Sequence, residues 1–134
     1  MVPDAWRHIL EREVAVYRKL DVRQRAKLVE DLLVFAGKEF VGLDGFVVDD
    51  RVRVHVSATA ALMVLGIGID RFAHVRRIEM REARYLDERG NVAEGHYEYA
   101  THESIGPIGI LHLAWKGMLD GAARNDGAHV GIHE

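Results

Sequence analysis

Two residues at the end of the chain, His133 and Glu134, have the types and order of the first half of H-E-x-x-H. In the full motif two histidines at i and i+4 share one helix face and bind zinc, and the glutamate acts as general base on the metal-bound water. The dipeptide by itself reads as part of a polar tail. The chain carries its own control, because His102-Glu103 is a second such pair and the fourth residue on from His102 is Gly106. His129 and His133 are also at i, i+4, so on a helix both face one way and could hold a metal together. The alternative for that pair is an exposed, frayed C-terminal turn. A further protein ligand would be needed, and no spacing singles one out.

The remaining histidines (His8, His55, His74, His96, His102 and His112) have no ligand spacing and read as surface or core residues. Neither Ser57 nor Ser104 sits in a G-x-S-x-G elbow, which argues against a serine hydrolase. GIGID (Gly66–Asp70) lacks G-x-G-x-x-G and so is no dinucleotide loop. Cysteine is absent, which removes disulfides, thiolate nucleophiles and cysteine zinc sites. Basic residues are spread along the chain, and the net charge of −3 gives no bulk attraction to nucleic acid or an anionic membrane. Arg76 and Arg77 read as a solvated strand face. The longest apolar run, Ala58–Ile69, is shorter than the roughly 20 residues that span a bilayer. MVPDAWRHILEREV has no basic-then-apolar leader pattern. These features point to a soluble, cytoplasmic protein.

The 134 residues fit one domain, 1–134, and their 49% hydrophobic content suffices for a core. Trp6, Ile9, Leu10, Val14 and Tyr17 make a helical stripe over residues 4–19. Asp21 reads as an N-cap for a second helix reaching about Phe40, with Leu28, Val29, Leu32, Leu33 and Ala36 on one face. Gly42, Asp44 and Gly45 mark a turn. Arg51–Ser57 (RVRVHVS) alternates like a strand, whereas Ala58–Gly66 is alanine-rich like a buried helix, and periodicity leaves both open. Residues 75–85 and His96–Ala100 read as strands around a turn at Asp87–Asn91. Pro107 opens a further strand, Ile108–Leu113, followed by a helix over Ala114–Arg124 and a last helix starting near Ala128. Helices followed by a small sheet give an α+β fold class.

Five stretches, in order along nearly the whole chain, carry a resemblance. They are WRHIL with YRKL (Trp6–Leu10, Tyr17–Leu20), LVEDLLVFAGKEFVGLDGFVVDD (Leu28–Asp50), VRVHVSATAALMVLGIGID (Val52–Asp70), GPIGILHLAWKGMLDGAARNDG (Gly106–Gly127) and HVGIHE (His129–Glu134). Together they resemble the Mlc titration factor A family of cytoplasmic bacterial zinc peptidases. The resemblance implies a zincin-like N-terminal part, with N-terminal helices packed on a small sheet and the active-site helix cut. It turns Val52–Gly66 towards helix. It also makes His133 the first zinc ligand and Glu134 the catalytic base, Zn2+ the cofactor of the complete site, and a peptide the substrate. A transcriptional repressor is the partner implied by the family name, which makes a non-catalytic binding module the alternative function. The second histidine and the downstream glutamate ligand of the family fall beyond residue 134. One histidine does not hold zinc tightly, so the 134-residue chain is expected to be inactive alone. An extended substrate would pair with part of Ile108–Leu113. Departures are His129 in place of asparagine, Met80-Arg81 in place of Tyr-Pro, and Gly131 in place of an apolar residue. Glycine there weakens a helix by about 1 kcal/mol relative to alanine.

Overall fold

A computed structural model describes the backbone of residues 2–82, 85–86, 92–93, 95–102 and 106–116, and the side chains of 2–82 and 109–116. The N-terminal stripe forms two helices rather than one, α1 (Asp4–Glu13) and α2 (Ala15–Lys19). Val14, at φ −106° and ψ 90°, breaks the helical path between them. The apolar face continues across the break. Leu10, Val14 and Tyr17 bury in one cluster with Leu28, Leu32, Val54, Ala58 and Ala61.

Asp21 caps α3 (Val22–Ala36) as a full capping box. The Gln24 N–H donates to Asp21 Oδ1 at 2.8 Å, and the Asp21 N–H donates to Gln24 Oε1 at 3.0 Å. The helix stops at Ala36, short of Phe40, because residues beyond Gly37 are drawn into the sheet. Arg53 Nη1 donates to the Ala36 carbonyl at 2.7 Å, satisfying an acceptor that the ended helix leaves open. Strand β1 (Glu39–Gly42) then pairs in parallel with β2 (Val75–Arg81). The expected turn follows, with Asp44 at φ 56° and Gly45 at φ 82°.

The ambiguous stretch is helical. Helix α4 (Asp50–Met63) starts on Asp49, whose Oδ1 accepts the Val52 N–H at 3.0 Å. Its alternation has a physical reason other than a pleat. Residues two apart lie on nearly opposite sides of a helix, and α4 is covered on both sides. Val52, Val56 and Ala60 pack on the sheet side with Phe35, Ile78, Met80, Leu111, Leu113 and Trp115. Val54, Ala58 and Ala61 face the cluster built by α1, α2 and α3. No helix among the described residues is long and apolar enough to cross a membrane.

A 3-10 turn (Ile69–Phe72) leads into β2. The expected 75–85 strand is interrupted: β2 ends at Arg81, and Tyr85–Leu86 (β3) pairs instead with Val92–Ala93 (β4) as a separate antiparallel ribbon. The main sheet is completed by β5 (Gly95–His102) and β6 (Gly106–Ala114), in the order β1-β2-β6-β5. β1, β2 and β6 are parallel, and β5 runs antiparallel to β6. Pro107 is accommodated near the start of β6, ahead of the stretch paired to β2, which begins at Gly109. The expected turn at 87–91 lies outside the described residues. So does the helix expected over 114–124, apart from helical Trp115 and Lys116. The architecture is α+β: among the described residues, α4 and the end of α3 pack on one face of a mixed sheet, and α1 and α2 pack on the side of α4 away from it.

Candidate functional site

His133 and Glu134, together with His129, lie outside the described residues. Among the described side chains, no three His, Asp or Glu groups come together as a metal site. The described residues show α4 behind the sheet, strand β6 between β2 and β5, and Trp115 directly after β6.

Trp115 is 6% exposed, and it anchors that exit. Its ring meets the edge of His55 at 5.4 Å between centroids and lies 5.7 Å beneath the Arg51 guanidinium. Both partners are on α4, and both reach Glu13 at the end of α1. Arg51 Nε is 2.6 Å, and His55 Nε2 2.9 Å, from Glu13 Oε1. Burial pushes His55 below its ordinary value of 6.5, against the opposing pull of Glu13. Burial alone would raise Glu13, but the hydrogen bonds from Arg51 and His55 outweigh it and hold its carboxyl low. A neutral His55 donating Nε2–H to a Glu13 carboxylate, with Arg51 carrying the positive charge, satisfies both directions.

A second polar group lies on the sheet face away from α4. Ile78 and Met80 of β2 point into the core, so Arg77 and Glu79 point the other way. Arg77 pairs with Glu39 of β1, and its Nη1 is 3.6 Å from Glu79 Oε2. The other Glu79 oxygen, Oε1, is 3.5 Å from His112 Nδ1 on β6. Arg76 is on the solvated face expected of it, but Arg77 is mostly covered and fully engaged in ion pairs.

Sequence reasoning passed over both clusters. His55 and Glu13 are 42 residues apart, and no local spacing announces such a pair. The alternation of VRRIEMR was a usable signal for Arg77 and Glu79 sharing a face, but not for the strand that lies beside them. Strand β6 also corrects the expected substrate edge. It has β2 on one side and β5 on the other, so Ile108–Leu113 offers no free backbone row. Among the described residues, the sheet margin on that side is β5.

Residues 1–134 match the family of glucose-regulated metallo-peptidases M90 from end to end. An uncharacterized protein of Synechocystis sp. is 29% identical over 147 aligned residues, which cover 99% of this chain and 51% of that relative. The chain thus spans about half the length of the curated relative it matches. With helices stacked on a mixed sheet and the family matched along its whole length, the chain belongs to the M90 family of glucose-regulated metallopeptidases, the Mlc titration factor A family.

Proposed function

We propose that this chain is the N-terminal portion of a zinc-dependent peptidase, and that His133 and Glu134 open its zinc-binding helix. The observation that carries the reading is the metallopeptidase family match over residues 1–134, and it is supported by the order His133-Glu134, with which H-E-x-x-H begins. In this reading His133 is a metal ligand through a neutral imidazole nitrogen. Zinc held there would supply Lewis acidity, towards a peptide carbonyl and towards water, whose pKa such a metal brings to about 7. Glu134 would be the base that takes a proton from the attacking water and passes it to the leaving amine. The eight-residue strand β5, marginal in the sheet and antiparallel to β6, is suited to take up an extended peptide by backbone pairing.

The decisive experiment compares the complete polypeptide, including the residues that follow Glu134, with the 134-residue chain. The complete protein should hydrolyse peptides, lose activity to a chelator and regain it with Zn2+. Glu134→Gln should lower kcat by about 100-fold or more. The 134-residue chain alone should be inactive, because one histidine of the pair cannot hold the metal. Undiminished hydrolysis by Glu134→Gln would overturn the assignment of the base, and zinc-dependent hydrolysis by the short chain would overturn the assignment of the ligands.

A further inference from the structure

We propose that the corner formed by α2 and the start of α3 docks this protein onto an anionic membrane surface. Residues 11–25 carry Arg12, Arg18, Lys19, Arg23 and Arg25 against Glu11, Glu13 and Asp21, a formal +2 in a chain whose net charge is −3. The bulk charge hides a local excess of the opposite sign. Two of the three acids are occupied: Glu13 is bonded to Arg51 and His55, and Asp21 caps α3. None of the five basic side chains has a carboxylate partner among the described residues. Hydrogen bonds to backbone gather them instead. Arg18 Nη1 donates to the Glu11 carbonyl, beside Arg12, at 2.6 Å, and Arg25 Nη2 donates to the Arg18 carbonyl, beside Lys19, at 2.8 Å. Arg25 Nε donates to the Tyr17 carbonyl at 3.1 Å. These bonds close carbonyls left open at the ends of α1 and α2 and fix the corner. Arg12, Lys19 and Arg23 are exposed and make no side-chain hydrogen bond among the described residues, so their charges are free to meet a partner.

The same corner exposes apolar side chains. Val16 is 38% and Val22 83% exposed, two of the five large apolar side chains exposed among the described residues. Val22 is the first residue of α3, and at that exposure it protrudes from the corner. Protruding valines among cations suit a lipid headgroup layer, where apolar side chains enter the acyl boundary and basic ones meet the anionic headgroups. A protein partner would need a pocket shaped to receive Val22, whereas a bilayer takes an apolar side chain of any shape. Nucleic acid fits less well, because Tyr17, the aromatic residue of the corner, is buried and lies 5.2 Å from the Arg25 guanidinium, which covers its ring, so no base can stack on it.

Cosedimentation of the 134-residue chain with lipid vesicles tests the docking. At about 0.1 M salt the chain should pellet with phosphatidylcholine vesicles that contain phosphatidylserine, stay in solution with phosphatidylcholine alone, and be released as salt rises. Each cation near such a surface contributes about fivefold to the partition coefficient, so Arg12→Gln, Lys19→Gln and Arg23→Gln together should weaken binding by about 100-fold. Those three side chains hold nothing in the fold, so the triple variant keeps its structure. Arg12→Lys, Lys19→Arg and Arg23→Lys together keep the charge and should bind like the parent. Val22→Ser should weaken binding and leave its salt dependence unchanged. Failure to pellet with the phosphatidylserine vesicles would overturn the proposal, as would undiminished binding by the triple glutamine variant. So would binding to an oligoglutamate peptide or to duplex DNA without binding to vesicles. The peptidase reading does not enter, because the test reads binding at residues 11–25 and requires neither His133 nor Glu134.

Discussion

His55 Nε2 and Glu13 Oε1 stand 2.9 Å apart, joining the middle of α4 to the last residue of α1. The bond ties the N-terminal helix to the helix that backs the sheet, and Arg51 and Trp115 close around it.

This contact makes stability depend on pH in two windows. His55 is depressed below 6.5 by burial, so on acidification the unfolded chain takes up that proton before the folded one does. Stability should be level above pH 7, decline as pH falls through 6.5, and level again below the folded value. Glu13 is held below 4.5 and contributes stability above that value, lost as pH falls through its depressed folded value. Urea unfolding at stepped pH measures both limbs. His55→Gln should remove the upper limb and retain the lower one. An unchanged profile between pH 7 and 5 in that variant would show that another group is responsible.

Gly42 should not tolerate alanine. An added Cβ would lie 1.8 Å from the Phe46 carbonyl oxygen, which is backbone and cannot swing aside. The same residue ends β1 opposite Met80, and the next N–H, of Leu43, donates to the Met80 carbonyl at 2.8 Å. Gly42→Ala should cost about 3 kcal/mol or more, through displacement of the turn from the sheet. Gly66→Ala, where no atom lies within 4 Å of the added carbon, is the matched control and should shift the melting temperature little.

Arg53 should matter more as a cap than as a charge. Its guanidinium donates to Ala36 O and lies 4.5 Å from the centre of the Phe40 ring, so it bridges the end of α3 and the start of β1. Arg53→Met keeps the apolar stem and removes the donors. It should destabilise by about 1–3 kcal/mol, read as a lower urea midpoint with an unchanged m-value. A loss of under about 0.5 kcal/mol would mean that water satisfies the carbonyl equally well.

Asp21→Ala should remove the acceptor half of the capping box and cost about 1 kcal/mol, while Asp21→Asn should cost less because its amide oxygen still accepts from Gln24 N–H. Equal losses in the two variants would refute that account. The effect should appear in faster hydrogen exchange over the first turn of α3, with the sheet unaffected.

Local chemistry alone determined much of this protein. The Asp21 cap, the turn at Gly42–Gly45, the α+β class and the strands near His96–Ala100 and Ile108–Leu113 follow from residues within a few positions of one another. The family was legible in the same way, because its stretches are contiguous and in order. Tertiary structure decided the rest. RVRVHVS is helical because α4 has apolar layers on both sides, a circumstance that alternation cannot report. Residues 39–42 leave the helix because β2, more than thirty positions on, offers their backbone a parallel ladder. His55 finds Glu13, Glu79 finds His112, and β6 loses the edge expected of it for the same reason. Each depends on which distant segment packs or pairs alongside, and the free energy of that choice resides in long-range burial and hydrogen bonding that no single stretch of sequence contains.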